Sequence, residues 1–468
     1  MIVIDGARAT DLEVGTNQAG DQTRYHPAEA AARTHDARSR TPAPPSGHRD
    51  ESSMLNVALS ARISRKIGEI DEELVAFRRD LHRHPEQAFE ETRTTSRLYE
   101  RLRQAGLKPD VLPCGTGIVC DVVPIAEEER RFVALRADID ALAIEDTKSV
   151  PYRSSVDGLS HACGHDVHAT SLLGAGLVLA ELRDRGLLPR PVRLVFQPGE
   201  EVLPGGALRA IAAGVLSDVD AIFALHCDPA VEVGRIAVLE GPITSGQDEL
   251  VLTAGGRGGH GSRPHLTEDL LHAVTGMMSN LPDVVRRFSP QDGLVFTWTM
   301  IRAGEALNVI PTEATLGASL CTMNPTAWER IPEVLTDQFE RAARVAGDVR
   351  WTLRLSRRPP VVNTLVGRSR AAVVDLFGEQ AVAETRQSLG GEDFAWYLRG
   401  TEGVPAVPDT AGVPGNLARL GIRPPTVEAA SFAHLHQGDF DVSERAIGVG
   451  AAYLAHIAAA PAQGHPRP

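Results

Sequence analysis

No uninterrupted apolar stretch in this chain of 468 residues reaches the ~18 residues that a membrane-crossing helix needs. The longest candidate, Ala169 to Leu182, contains glycine and alanine and reads as a buried helix. Basic residues are in deficit, 48 against 61 acidic for a formal charge of −13, which disfavours non-specific attraction to nucleic acid or anionic lipid. The acidic excess is spread along the chain without a long block, so it reads as a solubilising surface. Cysteine is sparse: Cys114, Cys120, Cys163, Cys227 and Cys321 are odd in number and unevenly spaced, which argues against a disulfide framework and for a reducing cytoplasm. The opening MIVIDGARATDLEV lacks the basic start, apolar stretch and small-residue cleavage site of a secretion signal. What is present is a globular composition, 43% hydrophobic, in a chain long enough for roughly two or three domains.

From Ala7 to Ser53 the chain is rich in Ala, Arg, Pro, Thr and Asp with no helical or strand period, so residues 1–53 are expected to be a disordered extension. Met54 opens the first periodic segment and is a candidate start of translation. Ile63, Ile67, Ile70, Leu74, Phe77 and Leu81 recur at three- and four-residue steps, and the pattern resumes from Thr94, so two helices flank the loop HRHPEQAFEE. Short β-branched runs follow at Gly117–Val123, Phe132–Ala137, Val192–Phe196 and Asp220–Leu225, separated by helical stretches. That alternation predicts an α/β/α sandwich around a mixed, largely parallel sheet.

The rhythm changes near Gln247. Strand 249–254, helix 266–288, strands 294–302 and 314–322, helix 325–346 and strand 349–355 read βαββαβ, a self-contained ferredoxin-like motif. The expectation is an inserted domain at 247–358, with the larger domain formed by 54–246 and 359–468 and resuming after Pro359-Pro360.

Metal sites need neutral imidazole, thiolate and carboxylate groups brought together at strand ends, and the chain offers them repeatedly. The strand in LRADIDAL ends in Asp138 and Asp140. HACGHDVHAT places His161, Cys163, His165, Asp166 and His168 within eight residues, and in an extended segment Cys163 and His165 would leave the same face. FQPGEE follows an apolar strand and supplies adjacent Glu200 and Glu201, suited to one binding metal and the other handling protons. AIFAL ends in His226 and Cys227, although His226 alone reads equally as a core histidine. SFAHLHQGDFDVSE carries His434, His436, Asp439 and Asp441, and GGRGGHGSRPH carries His260 and His265. This glycine-rich stretch lacks dinucleotide spacing and the P-loop ending, so it reads as flexibility that brings His260 towards a substrate.

In order, HRHPEQAFEE, RADIDAL, HACGHDVHA, QPGEE, LHCDP, GGHGSRPH, GGEDF and HLHQGDF resemble the motif series of the amidohydrolase family of hippurate hydrolase, N-acyl-amino-acid amidohydrolases and auxin-conjugate hydrolases, in the dinuclear zinc-peptidase superfamily. The resemblance covers roughly residues 60–455. It implies a catalytic α/β domain interrupted by a lid or dimerisation domain, and so a homodimer. It implies two divalent ions, Zn²⁺ or Mn²⁺ or Co²⁺, held by Cys163, His165, Glu201, His226 and His436. Glu200 would be the general base and His260 an oxyanion donor, for hydrolysis of an N-acyl amino acid by metal-activated water. Three positions depart from the family pattern: Gly199 where Ala is usual, GGEDF for G-S-E-D-F, and Gln437-Gly438 for a small residue and Pro.

Three alternatives stay open on the residues alone. Cys163 could act as a nucleophile with His165 or His168 as base. The substrate could be a dipeptide or another peptide. The chain could also be a non-catalytic homologue that keeps the fold.

Overall fold

The structure, a computed structural model, describes residues 2–6, 51–125, 131–288, 294–345 and 349–460. The expected disorder of residues 7–50 therefore lies outside the described residues. At the two ends of that expected extension the backbone is regular. Ile2–Gly6 is a strand paired antiparallel with Arg350–Arg358, and Glu51–Ser53 already belong to the first long helix, Glu51–Arg83.

The larger body is built on an eight-stranded sheet. Its four central strands, Gly415–Arg423, Val219–Glu232, Phe132–Asp138 and Val192–Gln197, run parallel in that spatial order. Antiparallel Ile118–Val122 and Pro109–Val111 finish one edge, while Ile236–Ala237 and Val382–Ala383 finish the other. Both faces are buried, and the period of two sorts the side chains. Val133, Leu135 and Ala137 pack under the long helices, whereas Ala134 joins Val195, Ile222, Ala224 and Leu417 on the opposite face.

The long-helix layer contains Glu51–Arg83, His165–Asp184 and Arg445–Ala459. On the first of these, Ile63, Leu74 and Leu81 are fully buried, as their three- and four-residue spacing requires. His165–Asp184 is hidden along almost its whole length, and small residues make that possible. A Cβ on Gly174 would lie 2.8 Å from both Ala451 Cβ and Leu74 Cδ1. The tight packing fixes the start of this helix, and with it the histidine-rich segment, against the carboxyl ends of the parallel strands, where such sheets bind ligands.

The smaller body is the βαββαβ unit. Its strands Gly246–Gly255, Val295–Ala303, Glu313–Thr322 and Arg350–Arg358 lie in the spatial order fourth, first, third, second, all antiparallel. Helices Leu270–Phe288 and Pro325–Val345 cover one face around Leu252, Leu316, Leu335 and Leu353. Among the described residues no helix is long and apolar enough to cross a membrane.

Candidate metal centre

The donors singled out in the sequence converge at the carboxyl ends of the parallel strands. Ligand atoms of Cys163, His165 and His226 lie within 4.8 Å of one another, as do those of Cys163, Glu201 and His436. Cys163 belongs to both groups, so one sulfur stands between two ligand sets. His226 Nε2 is 3.5 Å from Cys163 Sγ, and Glu201 Oε1 is 3.7 Å from His165 Nε2 and 3.5 Å from His436 Nε2.

Cys163 and His165 reach this point by a turn and not by the extended segment expected from their spacing. Gly164 is left-handed, at φ 86°, and His165 is already the first residue of its helix. Only glycine fits there, because a Cβ would lie 2.8 Å from Cys227 Sγ and the conformation is strained for any other residue.

Hydrogen bonds assign the histidines. His165 Nδ1 sits 3.0 Å from the Asp140 carbonyl, which can only accept, so Nδ1 carries the proton. Its Nε2 is buried with no partner and has its lone pair free. His226 Nδ1 is likewise 2.8 Å from the Cys227 carbonyl, leaving Nε2 for a cation. His168 differs. Its Nδ1 is 2.6 Å from Asp138 Oδ1 and its Nε2 accepts the Cys227 amide at 2.8 Å, so neither nitrogen is available. His161 is buried beside His82, and His434 is exposed.

Asp138 and Asp140, read in the sequence as carboxylates at a ligand-bearing strand end, orient other groups. Asp140 Oδ1 is 3.2 Å from His165 Nδ1, and its Oδ2 accepts the Glu201 amide at 2.9 Å, so one carboxylate aligns two donors. Asp138 joins a buried network in which Arg136 donates to Asp138 at 2.6 Å, to Asp393 at 2.6 Å and to Gln197 at 2.9 Å. Asp166 binds Arg78 and His82, each at 2.7 Å, away from the ligand groups.

Glu200 is buried and gripped on one oxygen only. Oε1 accepts from Arg358 Nη1 at 2.9 Å and from the Asp393 amide at 3.2 Å, while the side chain lies within 4.8 Å of His165 and Glu201. Burial pushes its carboxyl well above the usual range, against the pull of Arg358. The turn that presents it has Gly199 at φ 63°, its amide bonded to Glu91 at 2.8 Å, and a Cβ there would lie 2.6 Å from the Phe89 ring. This accounts for glycine at position 199. Gly438 is explained in the same way, since a Cβ would lie 2.4 Å from the Glu145 carbonyl. His436 beside it is held at φ 64° with its amide on the Ala162 carbonyl at 2.8 Å.

His260 and His265 are not brought into this cluster. Both are exposed on the smaller body, and His260 Nδ1 accepts from the Ser262 amide at 3.1 Å. Sequence reading also missed Arg136, Arg358 and Glu91. Arg136 and Glu91 sit inside motifs and Arg358 at the end of a strand, and each has a partner far away in the chain.

The donor set fits a pair of divalent cations: two imidazole nitrogens with free lone pairs, a third imidazole, a thiol and a carboxylate whose Oε1 is buried without a partner. Burial pushes the Cys163 thiol well above its ordinary range, and a cation would reverse that by binding the thiolate.

A family model described as peptidase family M20/M25/M40 matches residues 134–460. N-acetylcysteine deacetylase of Bacillus subtilis is 34% identical over 82% of this chain and 96% of its own length. IAA-amino acid hydrolase ILR1-like 2 of Arabidopsis thaliana is 32% identical over 84% of this chain and 86% of its own. A protein of Rhodococcus jostii named for a glutamate–cysteine ligase is 43% identical over 81% of this chain, but the chain spans only 46% of its length. Among solved structures, a dinuclear metal-binding peptidase of the M20 family from Bacillus subtilis is 30% identical, with a TM-score of 0.68, covering 84% of this chain and 98% of that one. On the family match and these full-length relatives, the chain belongs to the M20/M25/M40 peptidase family.

Proposed function

We propose that this protein hydrolyses the amide bond of N-acyl amino acids with the help of two divalent ions. The observation that carries the reading is the pair of ligand groups sharing Cys163, with the one-sided Glu200 carboxylate beside them. Cys163, His165 and His226 would hold one ion, and Cys163, Glu201 and His436 the other, with Zn²⁺, Mn²⁺ or Co²⁺ all compatible. When bound, such ions polarise a carbonyl and lower the pKa of water towards neutrality.

The chain's own groups do the rest. Arg358 and the Asp393 amide fix Glu200 Oε1, so the other oxygen is presented to take a proton from water and return it to the leaving nitrogen. His260 would donate to the oxyanion once the smaller body brings it over the site, from its own subunit or a partner's. In this reading 54–246 and 359–468 are the catalytic domain, 247–358 the lid through which two copies pair, and all five cysteines stay reduced in the cytoplasm. A cysteine-nucleophile mechanism is disfavoured because Cys163 is buried and stands between the two ligand groups.

The test is a panel of N-acetyl, N-benzoyl and indole-acyl amino acids with metal analysis of the same sample. Activity should vanish with a chelator and return with one of the three metals. Turnover that survives complete metal removal, or a trapped acyl-enzyme on Cys163, would sink the reading.

A further inference from the structure

Two arginines occupy the same face of the parallel sheet on either side of the strand that carries His226. In register, Arg136 pairs with Ala224 and Arg419 pairs with His226. Ala134, Ala224 and Leu417 all belong to the core opposite the long helices, so Arg136, His226 and Arg419, each two residues further on, face the same way. Arg136 is neutralised by Asp138 and Asp393, each at 2.6 Å, and by Glu392 at 3.1 Å. Arg419 is only 6% exposed, and no described residue gives its guanidinium a hydrogen bond or an ion pair. The acidic residue nearest in register, Asp228, accepts from the Ala230 amide at 2.9 Å and the Thr385 hydroxyl at 3.3 Å and acts on Arg419 only at longer range.

A buried guanidinium that makes no hydrogen bond or close ion pair leaves its N–H donors unsatisfied, a cost that is removed when an acceptor arrives. Neighbouring strands lie about 4.8 Å apart, so Arg419 stands one strand from His226 and its free Nε2. Its donors are open to an anion bound beside the ligand groups.

We propose that Arg419 anchors the α-carboxylate of the N-acyl amino acid substrate. This site rests on the amide-hydrolase reading above. The carboxylate of such a substrate is attached to the carbon that bears the scissile nitrogen, so its anchor must lie beside the metal ligands, as Arg419 does. A planar guanidinium offers two parallel N–H groups to the two carboxylate oxygens. An amino-acid amide, an ester or an internal peptide bond lacks that charge, so Arg419 restricts the enzyme to acyl groups on a free, C-terminal amino acid.

The experiment compares each N-acyl amino acid with its primary amide, in the wild-type holoenzyme and in Arg419→Lys and Arg419→Gln, with metal content measured for every sample. The wild type should favour the acid by at least about 100-fold in kcat/KM. Arg419→Gln should lose on the order of 10² to 10³ on the acid, chiefly through KM, and stay within about threefold on the amide, since truncating one member of a buried charge pair costs that much. Arg419→Lys should lose less. If Arg419→Gln fails to fold or to hold metal, Arg419→Ala with added guanidinium provides the second arm, and rescue should appear for the acid alone. Equal losses on acid and amide, or an acid preference that survives the substitution, would overturn the assignment. A wild type that hydrolyses acid and amide equally overturns the anchor alone, whereas a metal-loaded wild type inert to both overturns the hydrolase reading and the anchor together.

Discussion

In the larger body the proposed ligands and base are tied down from behind: Asp140 holds His165 and Glu201, the Cys227 carbonyl holds His226, and Arg358 holds Glu200. In the smaller body His260 is exposed, on a two-residue strand paired with Val309–Ile310, and among the described residues its ring hydrogen-bonds only to Ser262. One half is tied down for charge and the other carries an exposed histidine. The difference fits a division in which the ligand cluster is rigid before substrate arrives, and the last donor comes with closure of the smaller body.

The sharpest way to break this contrast is at the base. Glu200→Gln keeps the Arg358 and Asp393 hydrogen bonds in kind but cannot accept the proton. It should retain both metals and lower kcat by about 10² to 10⁴, and near-wild-type turnover with full metal would end its role. His260→Ala should lower kcat by about 10² to 10³, the usual cost of one oxyanion donor, with metal content and thermal stability unchanged because the residue is exposed. Loss of metal in that variant would contradict the contrast directly. Asp140→Ala leaves both donors in place but unaligned, and metal affinity should fall by about 10- to 100-fold. Unchanged affinity by competition with a chelator would show that His165 and Glu201 need no support.

The donors were legible in the sequence because Glu201 follows a strand, His165 opens a helix and the histidines and the cysteine come in dense short clusters, and such chemistry survives small errors in element boundaries. The βαββαβ unit was legible for a similar reason, since its periods switch cleanly from 2.0 to 3.6. Long-range pairing was not. Arg136 meets Asp393 across 257 positions and Arg358 meets Glu200 across 158, and a lone arginine in a strand carries no local sign of its partner. The turn at Cys163 was misread because spacing alone does not distinguish an extended segment from a left-handed glycine. Nor does Ile2–Gly6 announce its pairing with a strand more than three hundred positions away.

The smallest effect probes what the rigid half costs. Glu91 lies fully buried beneath the Glu200 turn, with one oxygen on the Gly199 amide and the other without a partner. Burial, with help from Asp140, raises its carboxyl to about 7 from an ordinary 4.5. The folded protein therefore holds a proton there that the unfolded chain has released between those two values. With fewer protons on the unfolded chain, this group makes stability fall as pH rises through that window. Glu91→Gln keeps an acceptor for Gly199 and removes the titration. Urea unfolding near pH 5 and near pH 7 should show the variant gaining stability relative to wild type at the higher pH, while a difference that stays constant or reverses would mean Glu91 is already ionised in the folded state.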